Sequence, residues 1–88
     1  MNIYFKELKP FYNIIDLRDE YEYKKDHVYN AINIPYKILL DNPSRYLDKN
    51  KRYYLYCTSG YRSAVASELL KVLGYDVVNV IDGFKKIS

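Results

Sequence analysis

Short apolar stretches recur along the chain, and the spacing within them switches between two patterns. Asn13-Ile14-Ile15-Asp16-Leu17 is an apolar run ending in charge, and Ala31-Ile32-Asn33-Ile34 is a shorter one closed by Pro35. Tyr53-Tyr54-Leu55-Tyr56-Cys57 and Val77-Val78-Asn79-Val80-Ile81 are rich in aromatic and β-branched residues. Runs of this kind predict strands in a pleated, two-sided environment. Residues 1–3 offer a further strand at an edge. Over residues 61–73 the period changes: Val65, Leu69 and Val72 form one i, i+4, i+7 row, and Ala66, Leu70 and Leu73 form the adjacent one. That spacing predicts a helix with a wide apolar stripe, ended by Gly74 as its C-cap glycine. Shorter helices are predicted over 19–25, where acidic residues lead and lysines follow in the sense the helix dipole prefers, and over 36–40 after Pro35. A further turn is expected over 43–47.

Strands alternating with helices predict an α/β fold with a small central, mainly parallel sheet of four to five strands. Parallel neighbours need right-handed crossovers, so helices should cover both faces. A chain of 88 residues buries only about 62% of its unfolded surface, which leaves room for one core. Residues 1–88 are therefore read as a single domain, and two-domain enzymes are excluded. With 49% hydrophobic and 28% charged residues the composition is globular and lacks the bias of disorder.

Charge and cysteine content narrow the partners. Fourteen Lys and Arg against eleven Asp and Glu give a net charge of +3, too small and too interspersed to point to nucleic acid. Lys49, Lys51 and Arg52 read as a solvated loop. No apolar run is long enough to span a bilayer, and the opening Met-Asn-Ile-Tyr-Phe-Lys does not read as a secretory leader, so no membrane partner and a cytoplasmic location are expected. The single cysteine, Cys57, cannot form an intramolecular disulfide and has no Cys/His cluster with which to build a structural zinc site. The twelve tyrosines, with no tryptophan, carry no functional reading.

The informative segment is the apolar strand that delivers Cys57 into a short loop, Thr58-Ser59-Gly60, which opens the best helix of the chain. In open α/β sheets ligands bind beyond the carboxyl ends of the strands, which is where Cys57 falls. Its sulfur is expected to face the first helical turn, whose unpaired N–H groups and positive dipole end favour an anion, with Arg62 adding a permanent charge. Gly60 allows a positive φ, so that successive N–H groups of residues 58–63 can turn inward as a cradle. Thr58, Ser59 and Ser63 add hydroxyls, although Ser63 also suits a helix first turn. The competing reading is a buried strand-end cysteine with no chemistry.

Cys57-Thr58-Ser59-Gly60-Tyr61-Arg62-Ser63 resembles the C-x-x-G-x-R-S loop of the rhodanese-like sulfurtransferases. Asp16-Leu17-Arg18 is similar to the family's D-x-R, Glu22-Tyr23 to its E-[FY], and His27-Val28 with Ala31-Ile32-Asn33-Ile34-Pro35 to its G-H-I-x-G-A-x-N-I-P stretch. Leu70, Gly74-Tyr75, Val78 and Asp82-Gly83-Phe84 resemble its late L-x-x-x-G-[FY]-x-x-V-x-x-L-x-G-G segment. Asp26, Asn30 and Asp82 stand where the family often has glycine, and Ile87 where tryptophan is common; these positions look structural, and Asp or Asn tolerates a left-handed backbone better than other residues.

The resemblance implies sulfur transfer. Cys57 takes sulfane sulfur from thiosulfate or a persulfide, holds it as a persulfide within the loop Thr58, Ser59, Gly60, Tyr61, Arg62 and Ser63, and passes it to cyanide, a thiol or a protein cysteine. No metal or cofactor is implied, and the partners are a small sulfur donor, a thiol acceptor and a possible sulfur-relay protein. His27 invites a Cys-His reading, but by resemblance it is a scaffold residue, and Asp16 and Arg18 are supporting residues that brace the loop or pair with Glu22. Two alternatives stay open. One is a non-catalytic binding or relay module. The other is a cysteine phosphatase or arsenate reductase, which carries five residues between Cys and Arg where this chain has four.

Overall fold

A computed structural model describes residues 1–85. Five strands, β1 (Asn2–Ile3), β2 (Asn13–Asp16), β3 (Ile32–Asn33), β4 (Arg52–Tyr56) and β5 (Asp76–Val80), form one sheet in the order β1-β5-β4-β2-β3. Every pairing is parallel. The helices are α1 (Glu20–Lys25), α2 (Tyr36–Asp41), α3 (Pro43–Tyr46) and α4 (Tyr61–Val72), and a 3₁₀ turn covers Phe5–Glu7. The expected α/β architecture is present, edge strand included, with boundaries shifted by a residue or two. Among the described residues no helix is long and apolar enough to cross a membrane.

Side-chain alternation along the strands builds two cores. Ile15, Leu55 and Val77 face α2, α3 and α4, where they meet Leu39, Leu47, Ala66 and Leu70. Ile14, Tyr56 and Val80 face the opposite side, against Tyr12, Val28, Phe84 and Tyr23 of α1. This second side is rich in stacked rings: Tyr12 stacks on Tyr54 with centroids 4.0 Å apart, and Tyr56 stacks on Phe84 at 5.6 Å. A side covered by one short helix and a 3₁₀ turn is filled with rings, which supply large apolar area from few positions.

α4 corrects the expected stripe. Its buried residues are Ser63, Ala66, Ser67 and Leu70, an i, i+3, i+4, i+7 face in which two serines stand because they are small. The Val65, Leu69, Val72 row turns outward, leaving Val72 85% and Leu69 48% exposed, and Leu73 lies outside the helix at 52% exposure. Gly74, with φ 96°, closes the helix as expected. The Tyr75 N–H donates to the Leu70 carbonyl at 2.9 Å and that of Gly74 to Lys71 at 3.0 Å, the paired bonds of a Schellman end.

The three described departures at glycine positions have different causes. Only Asn30 is left-handed, at φ 72°. Asp26 is extended, a conformation open to any residue, and Asp82 accepts the Phe5 N–H at 2.8 Å. Ile87 lies outside the described residues.

Leu70→Ala should destabilise the fold by about 2 to 5 kcal/mol, whereas Val72→Ala should change it by less than about 0.5 kcal/mol. Urea unfolding of the two variants checks which helical row carries the core.

Candidate active site

Strand β4 ends at Tyr56, and the next residue, Cys57, is 3% exposed. Gly60 then reverses the chain at φ 94°, in the position that caps α4. The turn aims two backbone N–H groups at the sulfur: Gly60 N lies 3.2 Å and Ser63 N 3.3 Å from Cys57 Sγ. The Ser63 hydroxyl lies 3.5 Å from the same sulfur and donates to the Gly60 carbonyl at 3.2 Å. The cradle expected over residues 58–63 is thus made by Gly60 and Ser63, the latter fully buried, while Thr58, Ser59, Tyr61 and Arg62 are exposed. Two oriented donors and a twelve-residue helix pointing its N-terminus at the sulfur form an environment for negative charge.

The loop is locked from below by a second turn. A Cβ on Gly60 would meet the Ile81 carbonyl oxygen at 2.2 Å, and one on Gly83 would meet the Thr58 carbonyl oxygen at 2.3 Å. Each glycine therefore admits the backbone of the other segment. The Phe84 N–H donates to the Cys57 carbonyl at 2.8 Å, pinning the residue that carries the sulfur.

Asp16 and Arg18 lie beside this turn and act on it indirectly. Asp16 is wholly buried and receives Arg18 Nη2 at 2.7 Å, Arg18 Nε at 3.1 Å and the Tyr56 hydroxyl at 2.6 Å. Arg18 also donates to the Asp26 carbonyl at 2.6 Å and lies 4.1 Å from the Phe84 ring centre. It pairs with Asp16 and not with Glu22, and it lies on Phe84, whose N–H donates to the Cys57 carbonyl. Burial works against the Arg18 charge, but the hydrogen bonds and charge of Asp16 together outweigh it and hold the guanidinium above its ordinary value. Burial, reinforced by the bond to Asp16, pushes the Tyr56 phenol far above its ordinary value.

The sulfur opens on a cleft of about 310 Å³ whose walls include Arg18, Asp19, Glu22, Thr58, Tyr61 and Arg62. Arg62 is exposed, its guanidinium 5.9 Å from the Tyr36 ring centre. His27 is elsewhere: its ring stacks on Tyr23 at 3.8 Å and Nδ1 lies 2.7 Å from the Tyr23 carbonyl, the structural placement expected of it. A second hollow, of about 370 Å³, lies at the other end of β2 and β4, beside Asn13 and Tyr53, away from Cys57.

A family model for the rhodanese-like domain matches residues 4–88. The chain belongs to that family. It is 37% identical over 75 residues to the thiosulfate sulfurtransferase PspE of Escherichia coli K12, covering 84% of this chain and 72% of PspE. It is 36% identical over 75 residues to a tRNA uridine(34) hydroxylase of Onion yellows phytoplasma, covering 80% of this chain but 24% of that protein. Among solved structures, a rhodanese-like domain protein from Staphylococcus aureus matches with a TM-score of 0.75 and 39% identity over 88% of this chain and 74% of the other. Proteins similar to this chain thus carry different named activities.

In this rhodanese-like chain the sequence motifs converge on the loop, but several of the residues that hold it, beyond Asp16 and Arg18, are absent from the set read from sequence. Gly83 and Phe84 contact it from a distant segment. Glu22, read in sequence as motif and as a possible ion-pair partner of Arg18, instead accepts the Thr58 hydroxyl at 3.1 Å, and Tyr56 reads in sequence as one more strand aromatic.

Tyr56→Phe removes the donor to Asp16 and should cost about 1 to 3 kcal/mol at neutral pH. Because the folded state raises the phenol above its reference value of 10.0, Tyr56 adds stability below pH 10 that is lost as pH rises further. The stability gap between wild type and variant should therefore narrow in alkaline unfolding experiments.

Proposed function

We propose that the chain is a sulfurtransferase that moves sulfane sulfur from thiosulfate or a persulfide to a thiophilic acceptor through a persulfide on Cys57. The observation that carries this reading is the sulfur held at 3.2 and 3.3 Å from two inward N–H groups at the N-terminus of α4. The Cys57 thiolate attacks the outer sulfur of the donor. A new S–S bond forms on Cys57 as the donor's own breaks, and the electron pair leaves with sulfite or a thiolate. The terminal sulfur of the intermediate carries the negative charge that Gly60 N–H, Ser63 N–H and the helix dipole stabilise. A thiol, cyanide or protein cysteine then takes that sulfur and returns Cys57 as a thiolate. The outer residues Thr58, Ser59, Tyr61 and Arg62 meet donor and acceptor, and Arg62 attracts the anionic end of either. Asp16 and Arg18 position the loop. Neither half-reaction calls for a metal or a cofactor.

Spacer length supports sulfur over phosphate. Four residues separate Cys57 from Arg62, a ring suited to one sulfur atom, whereas a phosphoryl group in transfer presents three equatorial oxygens to its cradle.

Intact-mass measurement tests the proposal. Wild type exposed to thiosulfate or a small persulfide should gain the mass of one sulfur atom and lose it again on adding a thiol. Cys57→Ser should gain nothing, turn over no donor and keep its fold, because its hydroxyl is a poor nucleophile and cannot hold a persulfide. Efficient hydrolysis of aryl phosphates with no sulfur gain from any donor would replace this reading with a phosphatase.

A further inference from the structure

The loop that favours an anion on Cys57 opens onto a rim of the opposite sign. Five ionisable side chains besides Cys57 and Tyr61 bear on the balance of the cleft: Asp16 behind it, and Arg18, Asp19, Glu22 and Arg62 in its wall. Arg18 is neutralised by Asp16 at 2.7 Å. That leaves two carboxylates, Asp19 and Glu22, against the single guanidinium of Arg62. Among the described residues neither carboxylate forms an ion pair. In the adjoining hollow, which shares Arg18 and Glu22 with the cleft, the remaining charges of Lys25 and Asp26 cancel.

Glu22 is also fixed in place. Its Oε2 accepts the Thr58 hydroxyl at 3.1 Å, so the carboxylate is tied to the residue next to Cys57. Arg62, by contrast, is exposed on the first turn of α4, beside Tyr36. A donor bringing its outer sulfur to Cys57 must place its carrier in a cleft of about 310 Å³, within reach of the Glu22 carboxylate. A dianion meets net repulsion there, and a carrier with a positive group meets attraction.

We propose that Glu22 and Asp19 select the sulfur donor, favouring a small alkyl persulfide whose carrier holds an ammonium group and disfavouring the thiosulfate dianion. The inference rests on the sulfur-transfer reading and narrows its substrate class. In the step, the Cys57 thiolate attacks the outer sulfur of R–S–SH. The bond from Cys57 to that sulfur forms as the carrier's S–S bond breaks, giving Cys57–S–SH and the carrier thiolate R–S⁻. The proton of the outer sulfur then passes to the departing carrier thiolate, leaving the anionic Cys57–S–S⁻ and R–SH, and no external oxidant or reductant enters. Glu22 and Asp19 take no part in the bond changes; they act on the charge of the carrier.

The test is a matched series of persulfides made from 2-aminoethanethiol, 2-mercaptoethanol and mercaptoacetate, which place a positive, a neutral and a negative group at similar distances from the sulfur. Sulfur gain on Cys57 is followed by mass at low and high salt. Loading of wild type should be fastest with the aminothiol and slowest with the acid, each charge step changing the rate by roughly three- to tenfold at low salt. High salt should compress the series, and thiosulfate loading should rise with salt. Glu22→Gln keeps an acceptor for Thr58 and, combined with Asp19→Asn, should bring the three rates to within about twofold while speeding loading from thiosulfate. Should the double variant not fold, the salt dependence of wild type decides alone. Equal loading across the series, or fastest loading from the acid, would overturn the selectivity and leave sulfur transfer standing. No sulfur gain from any donor would remove both.

Discussion

Burying a carboxylate at the end of a central strand obliges the chain to surround it, and much of the site follows from how Asp16 is surrounded. The side chain is wholly buried and is met by the Arg18 guanidinium, the Arg18 N–H and the Tyr56 hydroxyl. A buried ion pair of this sort adds little net stability over apolar packing, but loss of one partner is costly because the other is left uncompensated. Its contribution here is geometric. Arg18 is drawn inward until it lies on Phe84, and Tyr56 is fixed one residue before the nucleophile. The Asp16 backbone takes part as well: its carbonyl accepts the Asn33 amide at 3.0 Å and the Ile34 N–H at 3.0 Å, which anchors the short edge strand β3.

The second constraint is backbone against backbone. Gly60 and Gly83 each occupy a left-handed conformation, and each lies where a side chain would collide with a carbonyl of the opposite segment. Because main chain meets main chain, the loop holding Cys57 has little freedom to shift relative to the turn after β5. A donor N–H that must sit about 3 Å from a developing charge gains from such rigidity, since a small misplacement forfeits much of its effect. The loop is therefore fitted to its sulfur by two segments that are more than twenty residues apart in sequence.

Legibility followed the range of the forces involved. The strands around Ile14, Leu55 and Val78 were readable because local alternation and β-branching report them, and the helix from Tyr61 was readable from its period and from Gly74. Which part of that helix's stripe is buried was only half readable. Hydrophobicity pointed to Val65, Leu69 and Val72 together with Ala66, Leu70 and Leu73; Ala66 and Leu70 are buried, but the sheet completes that face with Ser63 and Ser67, whose small side chains suit close packing better than their polarity suggests. The loop motif named Cys57 and its neighbours. Tyr56, Phe84 and Gly83 hold that loop through contacts that no local window contains, so the sequence read Tyr56 only as a strand residue and Gly83 and Phe84 only as part of a motif.

The serines on the buried face of α4 differ in their polar partners. Ser67 Oγ, like Asn79 Oδ1 on β5, is buried without a hydrogen-bond partner among the described residues, an arrangement that costs about 1 to 3 kcal/mol per group. Leu or Val at either position would avoid that cost, but Ser67 stands one turn beyond Ser63, whose N–H points at the sulfur. A larger side chain at 67 would lever α4 away from the sheet and carry the Ser63 N–H with it. Small size at 67 thus suits the close approach of α4 that brings Ser63 N to 3.3 Å from Cys57 Sγ, whereas the Ser67 hydroxyl itself adds nothing to that fit, since alanine would be as small without an unpaired oxygen.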